Sequence, residues 1–414
     1  MIVKTAFWAM SQTLVKLIAG FIIIKLIAKA GGPDALSSFG LYQNLVTVLL
    51  MMSGGVVFAG VTSKIARTAD SNEFTAFYLG ASLFLNKLFI IAVSIILPIC
   101  LAVIYYSANK DGFSIIILLV ISLPFILLQT RFNFYLAVLN GLNKVNLLSK
   151  NSIYASILTI VISCTTYLIT SDWRIFAICM CLGPALKYIH VYVKKGNQYE
   201  LTPNIKPEAN VNYLLRYSLA GLVSSLCVPS AQIIARDFIA NHNGIYDSGI
   251  WQGLTRFSEV YLVLISSVLS IYILPKISPA KSKTQIKQCI IPLVLLLTPI
   301  ILAGVSLIFL LKEYIIIILF SHDFLSMKDL FIYQLPGDVF KILASILTFS
   351  LLGLGKIKTL IFLELVYFCV YLVLIYFSVP VYGLKGSIVA YSVSYFLYLL
   401  LAVSVFLYWY KTYE

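Results

Sequence analysis

Along the chain, long uninterrupted apolar runs alternate with short polar connections. Runs such as Ile90 to Tyr106, Ser114 to Leu128 and Leu293 to Leu311 approach or reach the ~20 residues that carry a helix across a hydrocarbon core ~30 Å thick. A membrane β-barrel would need short segments whose apolar residues alternate, and these runs do not alternate. The pattern predicts an all-α integral membrane protein with about twelve spans, at residues 8–29, 36–62, 76–106, 114–140, 150–170, 174–193, 212–240, 249–275, 288–311, 327–354, 360–379 and 386–409.

Charge between the spans sets the orientation. One set of connections carries fifteen Lys and Arg, from Lys4 and Lys64 to Lys358 and Lys411, and the other carries five: Lys29, Lys110, Arg174, Lys312 and Lys385. Positive charge is retained on the cytoplasmic side, so both termini are expected there. Composition agrees with burial in lipid: of 414 residues, 61% are hydrophobic and 11% charged, against roughly 25% charged in an average soluble domain. The net charge of +14 is dispersed between spans, which is a topology signal and not a nucleic-acid groove. Seven cysteines lie inside apolar stretches without a CxxC spacing, so neither a disulfide framework nor a metal site is expected. Ala28-Lys29-Ala30 mimics a signal-peptide cleavage site, but Lys16 splits the apolar stretch before it, and a retained first helix is the expectation.

The chain also repeats itself. Its longest polar stretch, Lys194 to Asn212 with Pro203 and Pro207, falls at mid-chain and reads as a cytoplasmic linker between two six-helix halves, 1–206 and 207–414. A shift of 212 residues puts Lys64 on Lys276, Pro124 on Pro336, and Gly141-Leu142-Asn143-Lys144 on Gly353-Leu354-Gly355-Lys356. Gly40-Leu41-Tyr42-Gln43 matches Gly249-Ile250-Trp251-Gln252 at a shift of 209. With six spans per half, both copies insert the same way up, related by a pseudo-two-fold axis along the membrane normal.

Ionisable residues inside spans are costly unless they meet water, a partner or a substrate. The candidates are nine cations, Lys16, Lys25, Lys87, Arg131, Lys187, Arg216, Arg236, Arg256 and Lys341, against four acids, Asp237, Glu259, Asp338 and Glu364. Lys25, Lys187, Arg216, Arg236 and Asp237 lie near span ends, where snorkelling competes with a buried role. Arg256 with Glu259 and Asp338 with Lys341 are i,i+3 and are expected to pair along one helix face. Lys16 and Arg131 have no acid within a turn. Polar stripes on the first two spans (Gln12, Lys16; Gln43, Asn44, Thr47) add to the picture of a hydrated, cationic path for an anionic substrate. Lys16, Arg131, Arg256 and Lys341, with Lys25 and Arg236, are the candidate substrate-binding residues. Glu259, Asp338 and Glu364 are candidates for ion coupling or charge pairing, and Pro124 with Pro336 for hinges. No phosphate loop, zinc-ligand spacing, GxSxG or large outer loop is found. That argues against an enzyme, an ATP-driven pump, a metal or a cofactor.

Two strings in the C-terminal half carry a family resemblance. Gly249-Ile250-Trp251-Gln252-Gly253 opens the eighth span, and Met327-Lys328-Asp329-Leu330-Phe331 runs on to Gln334-Leu335 and Gly337-Asp338 with Lys341. These resemble the Wzx flippases of the O-antigen and enterobacterial common antigen branch, within the multidrug/oligosaccharidyl-lipid/polysaccharide exporter superfamily. The resemblance implies a V-shaped, two-lobed bundle with a central cavity in a bacterial inner membrane. It further implies transport of undecaprenyl-diphosphate-linked oligosaccharide to the periplasmic leaflet by alternating access, for lipopolysaccharide biosynthesis. Implied partners are that lipid, the surrounding membrane lipids, a glycan polymerase and a chain-length regulator, with no nucleic acid. An exporter of another substrate, or a membrane glycan polymerase or glycosyltransferase, is the alternative. The positive-inside bias is checked by reporter fusions: fluorescent protein should glow, and alkaline phosphatase stay inactive, at both termini.

Overall fold

The computed structural model describes residues 2–55, 57–68, 72–106, 112–195, 211–277 and 282–412. Residues 196–210 of the expected linker, Lys194 to Asn212, lie outside the described residues, as do Lys110, Lys206 and Lys281 and the side chain of Arg216. Helices dominate because a backbone in hydrocarbon must satisfy its own N–H and C=O groups. They are α1 (Ile2–Leu50), α2 (Phe58–Thr68), α3 (Asn72–Tyr106), α4 (Gly112–Gly141), α5 (Val145–Ile169), α6 (Trp173–Lys195), α7 (Val211–Asn243), α8 (Ile245–Ile277), α9 (Lys283–Leu319), α10 (Phe331–Gly353) and α11 (Ile357–Thr412). A π-helical turn (Met51–Gly55) follows α1, and a 3-10 segment (His322–Leu330) precedes α10.

Among the described residues, eight stretches are long and apolar enough to cross a membrane. Two of them, Met10–Ala66 and Ile357–Tyr410 with 57 and 54 residues, are long enough to cross twice. α1 is broken at Gly32 (φ 63°) and α11 at Gly383 (φ 58°), so each supplies two spans. α7 and α8 complete the twelve: at 33 residues each they reach about 50 Å. These two helices hold Arg236, Arg256 and Glu259.

The chain divides into two compact units. Unit 1 comprises Met1–Gly31 and Ser38–Pro229, and unit 2 comprises Gly32–Ser37 and Ser230–Glu414. The short segment 32–37 joins unit 2 because Gly249 has no side chain to hold Pro33 away, and Ser37 Oγ lies 2.9 Å from Ser248 Oγ. In unit 1 a core of Val61 and Ile65 from α2, Phe77, Ala81 and Leu85 from α3, and Phe134 and Val138 from α4 is buried. In unit 2 the matching core joins Leu269 and Ile273 of α8, Ile286 and Leu293 of α9, and Ile346 of α10. Outside, α9 presents Leu295, Leu296, Ile300 and Leu310 to the surroundings, as lipid-facing helices do.

The internal repeat extends to single hydrogen bonds. At the end of α4, Leu142 N–H donates to Val138 O, Asn143 N–H to Asn140 O and Lys144 N–H to Leu139 O. At the end of α10, Leu354 donates to Ser350, Gly355 to Leu352 and Lys356 to Leu351, each shifted by 212. The corner needs a left-handed residue, and it is Asn143 (φ 56°) in one copy and Gly355 (φ 72°) in the other, the two residue types that adopt it most readily. Gly32 and Gly244 (φ 94°) obey the same shift at the helix breaks. Both copies of the Gly-x-aromatic-Gln string bury their ring: Tyr42 is wholly enclosed, bonded through its hydroxyl to Ser122 Oγ at 2.6 Å, and Trp251 is buried likewise.

α5 and α6 meet through Gly183, whose missing side chain lets Ala155 and Thr159 approach. A Cβ there would stand 2.6 Å from Ala155 O and 2.8 Å from Thr159 N. Gly183→Ala should therefore force the two helices apart and destabilise the protein by ~1–3 kcal/mol, read as a lowered thermal unfolding midpoint in detergent. Gly304→Ala, where a Cβ meets nothing within 4 Å, should leave the midpoint unchanged.

Candidate functional site

Two polar groupings lie within the helical units. The larger one, in unit 2, joins α7, α8, α10 and the second half of α11. Arg236 on α7 is only 3% exposed. Its Nη2 donates to Gln252 Oε1 at 2.5 Å, and the guanidinium lies 5.8 Å from the Trp251 ring centroid. Its Nε and Nη1 have no hydrogen-bond acceptor among the described residues. Such burial rules out the snorkelling expected from a position near a span end. α7 runs on to Asn243, so Arg236 sits two turns inside the helix and under its neighbours.

About two turns along α8 from Gln252, Glu259 is shared. It accepts from Arg256 Nη1 at 2.6 Å and from Gln232 Nε2 of α7 at 2.5 Å. The expected Arg256–Glu259 pair therefore forms, and it also ties α8 to α7.

Asp338 on α10 departs from expectation. Among the described residues, ion pairs join Arg256 to Glu259 and Lys328 to Glu313, and none joins Asp338 to Lys341. Asp338, with no exposed surface, instead accepts from Ser258 Oγ at 2.8 Å, from Tyr391 Oη at 2.7 Å and from Tyr261 Oη. Gln334 Nε2 donates in turn to Ser258 at 3.1 Å. Three hydroxyls from two other helices occupy the carboxylate, and the longer lysine stem swings past it. Lys341 Nζ lies 4.8 Å from the Tyr395 ring centroid and 5.9 Å from that of Tyr391, a cation–π arrangement worth ~0.5–2 kcal/mol. Tyr395 packs on Tyr367 at 4.5 Å, and Tyr367 stacks on Tyr371 at 5.8 Å, so Lys341 caps an aromatic column. Glu364 lies half-buried on α11, one turn before Tyr367. The network brings together three cations (Arg236, Arg256, Lys341) and, with Glu364 beside the tyrosines, three acids (Glu259, Asp338, Glu364).

The smaller grouping, in unit 1, centres on Arg131 of α4. Its Nη2 donates to Asn86 Oδ1 of α3 at 2.7 Å, beside a cavity of about 450 Å³ lined also by Phe89, Ile90, Leu127, Leu128, Tyr188 and Tyr192. Lys16 is exposed and Lys25 half-buried on α1, and neither lines this cavity. The candidate cations thus fall into both units. Helical backbone runs unbroken through Pro124 and Pro336, which face outward; departures from helical geometry fall at Gly32, Gly54 and Gly383.

No protein-family model matches the chain. Proteins described as lipid III flippase, from Escherichia coli K12 and Shigella flexneri, are each 27% identical over 425 residues, covering 98% of this chain and 98% of theirs. An inward-facing multidrug-resistance MATE transporter of the MOP superfamily superposes with a TM-score of 0.77 at 14% identity, over 97% of this chain and 96% of its own. Lipid II flippase MurJ, in an inward closed conformation, gives 0.76 at 14% identity, over 97% and 87%. The chain has the two-lobed fold of the MOP superfamily. It is a multi-pass membrane protein.

Reading the sequence missed Gln232, Ser258 and the tyrosines, and gave Gln252 and Gln334 no partner although both stand in the strings that carry the resemblance. A signal for the tyrosines was present, since Tyr391, Tyr395 and Tyr398 recur at i, i+4 and i+7 on one helix face, as Tyr367 and Tyr371 do at i and i+4. Removing the carboxylate should be costlier than removing one donor. Asp338→Leu strands three hydroxyl donors, at ~1–3 kcal/mol for each left unpaired, whereas Tyr391→Phe loses a single bond. Thermal unfolding in detergent should rank Asp338→Leu well below Tyr391→Phe and wild type.

Proposed function

We propose that this protein is a flippase for a lipid-linked oligosaccharide, moving an undecaprenyl-diphosphate-linked unit of the O-antigen repeat type from the cytoplasmic to the periplasmic leaflet of a bacterial inner membrane. It is a transporter, not an enzyme. The halves 1–206 and 207–414 act as the two lobes of an alternating-access cycle, with both termini cytoplasmic. The observation that carries this reading is how unit 2 holds its charges: Glu259 and Asp338 are engaged by protein donors, while among the described residues no ion pair joins Arg236 or Lys341 to an acid. Full-length similarity to the two lipid III flippases supports a lipid-linked substrate.

The physical task fits. Each sugar hydroxyl costs about 4–8 kcal/mol when stripped into hydrocarbon without a partner, so an oligosaccharide head does not cross unaided. A polar path keeps the head hydrated while the polyprenyl tail stays in lipid. The diphosphate brings about two negative charges. At a potential of about 100 mV, negative inside, moving them outward gains roughly 4–5 kcal/mol. Lys16, Lys25, Arg131, Arg236, Arg256 and Lys341 hold the path positive, with N–H donors that suit phosphate oxygens. Glu259, Asp338 and Glu364 serve charge pairing or ion coupling. A cation exporter of the same fold would need acids available to its cargo, whereas Glu259 and Asp338 already accept from two and three protein donors.

A deletion strain should accumulate the lipid-linked unit on the cytoplasmic leaflet and lose surface glycan. Arg131→Ala, Arg256→Ala and Lys341→Ala, expressed and inserted at wild-type levels, should each reduce export at least tenfold. Unchanged surface glycan in the deletion strain, with no internal accumulation, would refute the assignment.

A further inference from the structure

The unit 1 cavity differs in kind from the unit 2 network. Unit 2 buries its charges within a mesh of hydrogen bonds. The unit 1 cavity is open, and its wall is divided. One part is polar: the Arg131 guanidinium, fixed by the 2.7 Å bond from its Nη2 to Asn86 Oδ1, with Tyr188 and Tyr192 one turn apart on α6, their rings 6.2 Å from each other. The other part is hydrocarbon, from Phe89, Ile90, Leu127 and Leu128. This apolar wall continues onto the outer face of α3, where Ile90 is 64% and Ile91 52% exposed. At about 450 Å³, the space lies in the range that holds small organic ligands and far exceeds what a single ion fills.

Three properties define the occupant. Among the described residues, no acid pairs with Arg131, so the site offers one uncompensated positive charge. Asn86 is neutral and accepts from one edge of the guanidinium, which orients it without cancelling it. Arginine presents planar N–H groups that match phosphate oxygens. The adjoining wall would exclude a hydrated free anion from most of the cavity and accept an alkyl or prenyl chain.

We propose that this cavity binds a lipid phosphate, the phosphate on Arg131 and the chain over Ile90, Leu127 and Leu128 toward the bilayer. The ligand comes from either of two sources: an anionic phospholipid of the membrane, or the polyprenyl diphosphate of the transported lipid. The second source rests on the flippase reading above; the site itself does not.

The test is native mass spectrometry of the purified full-length protein, titrated separately with phosphatidylglycerol, polyprenyl diphosphate, diacylglycerol and sodium phosphate. Wild type should retain a phosphate-bearing lipid and neither diacylglycerol nor inorganic phosphate. Arg131→Gln should weaken retention at least tenfold, and Arg131→Lys should restore part of it. Asn86→Asp, which sets a carboxylate against the guanidinium, should abolish retention as fully as Arg131→Gln. Lys29→Gln, an exposed cation of the same unit, should have no effect. Preference for polyprenyl diphosphate identifies the cargo as occupant, and equal or greater retention of phosphatidylglycerol identifies a resident lipid. Undiminished retention in both Arg131→Gln and Asn86→Asp, equal retention of diacylglycerol, or saturation by inorganic phosphate alone overturns the proposal. A protein that holds the lipid in this assay while its deletion strain exports normally would overturn the flippase reading and leave the site standing.

Discussion

Placing a guanidinium inside a membrane-spanning bundle costs about 2.5–3.5 kcal/mol even on the most lenient insertion scale, and the organisation of unit 2 follows from meeting that cost. Arg236 is accommodated by a carbonyl oxygen from Gln252 and the face of Trp251. Arg256 takes one oxygen of Glu259, whose other oxygen goes to Gln232. Lys341 rests on tyrosine rings. Each of these partners except Glu259 is neutral, so each solvates its cation without neutralising it.

The same hydrogen bonds also fasten the helices together. Glu259 links α8 to α7, and Asp338 links α10 to both α8 and α11. A change in protonation or ligation at Asp338 would therefore be felt by three helices at once. Unit 1 has the same helix corners, bond for bond at a shift of 212 residues, but different contents: where unit 2 buries Trp251 beside Arg236, unit 1 buries Tyr42 on Ser122. The duplicated scaffold is kept and the polar interior is not, and unit 1 places its deep arginine at the edge of an open cavity.

Much of this was legible in the amino-acid order. Lipid enforces helix, and helix enforces continuous apolar runs, so the spans were countable even where Gly32 and Gly383 hide the joins. The repeat was visible because the Gly-x-x-Lys corners need the same backbone in both copies. The Arg256–Glu259 pair was visible because both residues share one helix. Asp338 was misassigned for the converse reason: spacing along α10 sees Lys341 and cannot see Ser258, Tyr261 or Tyr391 on other helices. The membership of residues 32–37 in unit 2 had no local signal at all, since it depends on a glycine more than two hundred positions away.

The central claim is that the interior recognises a phosphate-linked glycan by its charge. It is tested most directly by reconstituting the purified protein into liposomes and following transbilayer movement of two glycolipids with the same oligosaccharide, one joined to its polyprenyl chain through a diphosphate and one through a neutral glycosidic bond. Rapid, protein-dependent movement of the diphosphate form alone is the predicted result. Equal movement of both forms, or of neither, would contradict it.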